Sequence, residues 1–197
     1  MQENMFDAAY WDHQYLHYKP GWDIGYASTP LKEYIDQLTD KNTRILIPGC
    51  GNGYEAEYLL QQGFQHVTVI DLSPVLTKRF TEKLQSYTGK QPTVITGDFF
   101  DHTGQYDLIL EQTFFCVFPP QYREKYVQHV QELLAPGGTI AGVLFNREFD
   151  SAPPFGGKME SYIPVFQKYL DLIKMEPCYN SIKPRQGAEV FFIAMKS

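Results

Sequence analysis

The chain has 197 residues, 43% hydrophobic and 20% charged, enough to bury one full core and too apolar for general disorder. Its formal net charge of −6 and pI near 5.3 exclude a broad phosphate-binding surface, because nonspecific nucleic-acid affinity comes from Lys and Arg neutralising phosphates. The opening MQENMFDAAYWDH lacks the basic start and apolar core of a signal peptide, and no later apolar run approaches a membrane span, so the expectation is one cytoplasmic domain, 1–197, without membrane or nucleic-acid partners.

Residues 1–28 hold both tryptophans, Trp11 and Trp22, with Phe6, Tyr10, Tyr15, Tyr18 and Tyr26. That concentration is unusual for a tail and suggests a lid, or a cap on the open end of a sheet. Ser28, Thr29 and Pro30 then give a capping residue followed by proline, and Leu31, Tyr34, Ile35 and Leu38 recur at helical spacing, predicting a helix to about Thr39. From there apolar β-branched runs alternate with helical patterns: strand 44–48, helix 54–62, strand 66–71, helix 74–86, strand 93–96, strand 106–111, helix 120–134 and, after the Pro136-Gly137-Gly138 turn, strand 138–145. A helix is expected over 160–169 and strands over 172–179 and 188–195. This alternation is the signature of βαβ units and a mostly parallel sheet with right-handed crossovers. The widely spaced Cys50, Cys116 and Cys178 form neither a CxxC pair nor a zinc pattern and read as reduced, buried thiols.

Open α/β sheets bind ligands at the carboxyl ends of their strands, so the turn after the first strand carries the most information. There stand Gly49, Gly51 and Gly53. Glycine takes backbone conformations closed to other residues and lets a ligand lie against the chain. Asp71 ends the second strand, where a carboxylate can accept from both ribose hydroxyls of an adenosine cofactor. The nicotinamide fingerprint wants a third glycine or alanine where this chain has Tyr54, so NAD is the weaker reading. Asp98, just after the third strand, is placed to accept from an adenine amino group while Phe99 covers the ring; a polar turn with Phe99 in the core is the alternative.

Together, Trp11 and GWDIG, LIPGCGNG, VIDLS, GDFFD, YDLILEQTFFCVFPP, LLAPGG and the late PPF resemble the thiopurine methyltransferase superfamily, and within it the halide and thiol methyltransferase branch. The first motif has Ile47 and Pro48 where generic methyltransferases carry an acid, a form typical of this superfamily. The resemblance implies a Rossmann-like class I methyltransferase, a three-layer αβα sandwich with seven strands and the last antiparallel, using S-adenosylmethionine as methyl donor. It implies that Trp11 and Trp22 pack about the donor, that Gly49 and Gly51 line it, that Asp71 with Leu72 holds the ribose, that Asp98 and Phe99 address the adenine, and that Glu111 also binds the donor. Thiopurine enzymes proper carry arginine after the acid ending the fourth strand, whereas this chain has Gln112.

Methyl transfer is an in-line displacement that mainly requires alignment and exclusion of water. Aromatic faces attract a sulfonium by their quadrupoles, and Trp11, Tyr15, Trp22 and Phe114 are the candidates. Tyr15, Phe114, Phe155 and Arg147 are the acceptor-side candidates, and the Thr113–Cys116 run would form an apolar wall. Arg147 and Arg185 read as solvated side chains, with attraction of an anionic acceptor the alternative; His13 and His17 read as surface or capping residues, and no metal is expected. The expected activity is methylation of a small soft nucleophile such as a thiol, bisulfide, thiocyanate or halide. A thiopurine, tellurite or selenite methyltransferase, a noncatalytic donor-binding protein and an NAD-dependent oxidoreductase stay open as alternatives. The sequence does not set the oligomeric state; a monomer is compatible with it.

Overall fold

The computed structural model describes residues 6–18, 21–87, 89 and 91–197; residues 1–5 of the expected lid, and Lys19 and Pro20 within it, lie outside them. Among the described residues the apolar runs become seven strands: β1 (Arg44–Pro48), β2 (His66–Asp71), β3 (Thr93–Thr96), β4 (Tyr106–Gln112), β5 (Leu134–Phe145), β6 (Asp171–Pro177) and β7 (Glu189–Met195). They form one sheet in the order β3-β2-β1-β4-β5-β7-β6. β1 to β5 pair in parallel, and β7 runs antiparallel between β5 and β6, as expected.

Both faces of the sheet are covered. Period-two alternation sends Ile45, Ile47, Val67, Val69, Leu108 and Leu110 to one face, where they meet α2 (Thr29–Asp36), α3 (Tyr54–Gln61) and α4 (Pro74–Lys83). Leu46, Ile70, Ile109, Ile140 and Leu144 point to the other, against α5 (Arg123–Leu133) and α6 (Met159–Gln167). The chain moves outward from β1 to β3 on one side and outward from β4 on the other, so the loops leaving β1 and β4 diverge and open a crevice at the carboxyl ends.

Several expected boundaries shift for local reasons. The helix expected over 120–134 opens as a 3-10 turn, Pro120–Tyr122, before α5, closed by the Tyr122 N–H donating to the Pro119 carbonyl at 2.8 Å. β5 begins at Leu134, ahead of the Pro-Gly-Gly turn, since Leu134 pairs with Tyr106 and the register shifts before it resumes at Leu108 and Thr139. α4 passes into a 3-10 turn, Leu84–Ser86, and α6 stops at Gln167. Ser28 stands at the N-cap of α2 without a side-chain cap bond; its hydroxyl instead donates to Gln112 Oε1 at 2.6 Å, and its N–H to Glu55 Oε1 at 2.9 Å. α1 (Ala8–His17) is an element that the apolar pattern does not announce: none of its residues is fully buried, and Asp7 caps it by accepting from the Tyr10 N–H at 2.8 Å. All three cysteines are buried and free, and among the described residues no helix is long and apolar enough to cross a membrane.

Phe166 fills the core under β7, fully buried, with ring centroids 4.8 Å from Phe192 and 5.9 Å from Phe115. Phe166→Ala is expected to lower the unfolding free energy by about 3–5 kcal/mol, read as a lower urea midpoint at unchanged slope.

Candidate active site

The turn leaving β1 is shaped by what surrounds it. Gly49 has φ 58°, and a Cβ there would stand 2.1 Å from the Phe114 ring; both facts exclude an L side chain. Gly53, with φ 73°, opens α3, and its Cβ would meet the Phe80 ring at 2.4 Å, so that glycine serves the packing of α3 on α4. The Gly51 N–H donates to Asp71 Oδ2 and the Ser73 N–H to Asp71 Oδ1, each at 2.9 Å. Burial pushes the Asp71 carboxyl up to about 6 against these amide bonds, which favour the ionised form.

A second buried carboxylate shapes the loop after β4. Glu111 is fully buried; its Oε1 accepts from the N–H groups of Phe114 and Phe115 at 2.8 and 2.9 Å, and its Oε2 accepts from the Tyr126 hydroxyl. Gly142 on β5 leaves the space it needs, since a Cβ there would lie 2.4 Å from Glu111 Cβ. Burial raises the Glu111 pKa and its hydrogen bonds oppose that shift. The loop so held puts Thr113 at φ 55°, a left-handed conformation costly for a β-branched residue, and carries Thr113, Phe114 and Cys116 to one wall of the crevice.

The N-terminal segment closes the opposite side. Asp12 on α1 accepts from the Ser73 hydroxyl and, at 3.3 Å, from the Val75 N–H at the start of α4. Arg79 donates to the Tyr15 carbonyl at 3.2 Å, Asn52 to Asp23, and Arg185 to the Trp22 carbonyl at 3.1 Å. Trp11 and Trp22 stand edge to face at 5.8 Å, and the Trp22 indole donates to the Tyr15 hydroxyl at 3.0 Å. Burial raises the Tyr15 pKa, so the phenol stays protonated.

The result is a cavity of about 660 Å³, within the size range of small-molecule sites. It brings together Trp11, Tyr15, Trp22, Gly49, Asp71, Leu72, Asp98, Phe99 and Phe114. Asp98 accepts from the Phe100 N–H at 2.9 Å; Phe99 is both wall and core, only 4% exposed and packed on Phe114 at 5.3 Å. Gly51 and Gln112 instead border a small adjoining recess of about 50 Å³. Glu111 is not on the wall of either cavity; it acts on the site through the loop it holds. Phe155 is half-buried and packs toward Phe6 at 6.2 Å, while Pro153 and Pro154 beside it line the cavity. Arg147 is exposed, over the Phe149 ring at 4.7 Å, and lines neither cavity.

Arg185 departs from the solvated reading: it is 8% exposed and faces Glu189 at 3.4 Å, because the Trp22 carbonyl and this carboxylate together hold its guanidinium inside. His13 and His17 are exposed with rings 4.6 Å apart, and among the described residues no cluster could hold a metal. Phe6, one of the aromatic residues of the expected lid, lines the cavity too, as do Phe100, Lys125 and Phe145, which the sequence reading does not single out. The signal for Phe145 is its place at the carboxyl end of β5.

The sheet order, the glycine turn after β1, the acid ending β2 and an aromatic cavity at the switch point define a class I methyltransferase that uses S-adenosylmethionine. The family model for thiopurine S-methyltransferase matches residues 6–189. The chain belongs to that family. It is 29% identical over 176 residues to probable thiol methyltransferase 2 of Arabidopsis thaliana, covering 85% of this chain and 76% of that one. It is 27% identical to thiocyanate methyltransferase 1 of Brassica oleracea with the same coverage. The fold is similar to that of magnesium protoporphyrin IX methyltransferase from Synechocystis, solved with bound S-adenosylhomocysteine, with a TM-score of 0.70, 17% identity and coverage of 85% of this chain and 82% of that one. The residues present fit the donor: a carboxylate at the end of β2, the Gly49 backbone in the cavity wall and aromatic faces around the cavity.

Glu111→Ala would leave two amides and the Tyr126 hydroxyl buried without their acceptor. It is expected to cost about 3 kcal/mol or more, seen in denaturant unfolding, whereas Glu111→Gln keeps an acceptor for both amides and is expected to cost less.

Proposed function

We propose that the protein transfers the methyl group of S-adenosylmethionine to a small soft nucleophile, a thiol, bisulfide, thiocyanate or halide, by in-line displacement. The observation that carries this reading is the wall beside the Thr113–Cys116 loop. Phe114, Cys116, Phe145 and Pro153 line the cavity there, and Trp11 and Trp22 line it from the N-terminal segment. Among the described residues lining the cavity there is no histidine, and its carboxylates are Asp71 and Asp98, both assigned here to the donor. A halide needs no deprotonation, and a thiol of pKa ~8.5 is partly ionised at neutral pH, so neither acceptor demands a general base. The names of the thiol and thiocyanate methyltransferase relatives support the same class.

The donor supplies an activated methyl on a sulfonium; the chain supplies its placement. Asp71, beside Leu72, accepts from the ribose hydroxyls, and Asp98 with the edge of Phe99 addresses the adenine. The Gly49 backbone, which lines the cavity, borders the methionine portion. Trp11, Tyr15, Trp22 and Phe114 turn aromatic surface to the sulfonium, a contact worth about 0.5–2 kcal/mol, and exclude water from the line of attack. The Cys116 thiol does not compete as acceptor, because burial raises its pKa far above neutrality.

Purified protein incubated with donor and iodide, bisulfide or thiocyanate is expected to release methyl iodide, methanethiol or methyl thiocyanate, detected in the headspace. Turnover of a thiopurine or selenite with none of these three anions would overturn the acceptor class, and binding of NADH without binding of the donor would overturn the whole reading.

The Asp71 assignment gives a pH dependence with a fixed sign. A carboxylate that accepts from two hydroxyls must be ionised, so donor binding favours its charged form and releases protons where the free group is protonated. With the free carboxyl raised to about 6, donor affinity measured by calorimetry is expected to weaken as pH falls through that value and to level off above it. Asp71→Asn is expected to bind weakly at every pH.

A further inference from the structure

Arg123, the first residue of α5, is 8% exposed. Its guanidinium lies between the Phe115 and Tyr162 rings, 5.4 and 5.2 Å from their centroids. One Nη donates to the Gly156 carbonyl. Among the described residues no carboxylate lies within salt-bridge distance of it, the Glu148 carboxylate standing beyond Gly156, and its Nε has no hydrogen-bond partner. A buried guanidinium without a counter-ion is a poor way to stabilise a fold, since the charge loses its water and gains no opposite charge in return. Its one polar contact points to another purpose.

Gly156 belongs to the segment 153–157, whose Pro153 and Pro154 line the cavity. That segment is tied down through its backbone. The Phe155 N–H donates to the Cys116 carbonyl at 2.6 Å and the Gly157 N–H to the Arg147 carbonyl at 3.0 Å. A Cβ on Gly156 would stand 2.3 Å from the Arg147 carbonyl oxygen, and one on Gly157 would stand 2.5 Å from the Tyr162 hydroxyl. The Arg123 bond to Gly156 joins this segment to Phe115 in the loop after β4 and to Tyr162 on α6. The two walls of the acceptor chamber, Cys116 on one loop and Pro153 with Pro154 on the other, are thus joined directly by the Phe155–Cys116 bond and braced from behind by Arg123.

We infer that Arg123 is a positioning residue: it holds the 153–157 segment against the loop after β4 and so fixes the width of the acceptor chamber. The inference rests on the assignment of this wall to the acceptor.

The test uses full-length Arg123→Met, which keeps the packing and removes charge and hydrogen bond, and Arg123→Lys, which keeps the charge and loses the fork. Donor affinity is read by calorimetry, thiocyanate turnover by steady-state kinetics, and backbone opening by amide hydrogen exchange with peptide-level mass spectrometry. For Arg123→Met, donor affinity is expected within about twofold of the parent while the thiocyanate KM rises about tenfold or more, the pattern of a lost acceptor-side interaction. Exchange is expected to quicken in 153–157 and not in β1 or β4. Arg123→Lys is expected to show the quickened exchange with a KM between the other two. Donor affinity falling in parallel with thiocyanate KM would mark general damage and overturn the inference, as would an unchanged KM with unchanged exchange. Should the parent protein methylate none of the anions, the proposed function fails, and the exchange data alone decide whether Arg123 holds the segment. Should Arg123→Met fail to fold, Arg123→Lys decides: quickened exchange in 153–157 supports the strut and parent-like exchange overturns it.

Discussion

A turn made of glycines has no side chains with which to hold its own shape, so a glycine turn that must present backbone to a ligand needs its conformation imposed from outside. Here the Asp71 carboxylate does this, accepting from the Gly51 amide 20 residues upstream while also tying down Ser73. Glu111 repeats the device at the end of β4, where one carboxylate oxygen takes two amides of the following loop. Both acids are buried, which penalises their charge, and both recover part of that penalty from oriented N–H groups. The crevice between β1 and β4 is thus framed by two loops clamped from strand ends, and mobile parts are needed only on its outer side.

That outer side is built mainly from aromatic surface. Trp11, Trp22 and Tyr15 are arranged by edge contacts and by one indole-to-phenol hydrogen bond, and polar bonds anchor the segment to the body at Ser73, Val75, Arg79, Asn52 and Arg185. Apolar closure with peripheral polar anchoring suits displacement at a methyl group. The chemistry gains from a dry chamber, while hydrogen bonds at the rim can break and reform in water at small net cost.

Much of the fold was legible because each strand at the centre of the sheet is an apolar run bounded by glycine, proline or an acid. Asp71 and the Pro136-Gly137-Gly138 turn needed no tertiary information. The remainder depends on contacts distant in sequence. α1 has aromatic residues on several sides and buries none of them fully, so no helical stripe marks it. Arg185 looks like any surface arginine until Trp22 and Glu189 arrive beside it. Glu111 reads as a ligand for the donor because it sits where a ligand should; that it faces inward follows only from Gly142 on the neighbouring strand, which leaves the room. Ser28 was legible as a cap position, but the partner of its hydroxyl, Gln112, lies 84 residues away.

The bond from Arg185 to the Trp22 carbonyl joins positions 163 residues apart. Chains emerge from the ribosome amino end first, so the aromatic segment is made long before the guanidinium that holds it. While β1 to β5 assemble, that segment has at most its contacts with α4 and the glycine turn. A nascent or truncated chain that stops before residue 185 would therefore carry its two tryptophans without this anchor.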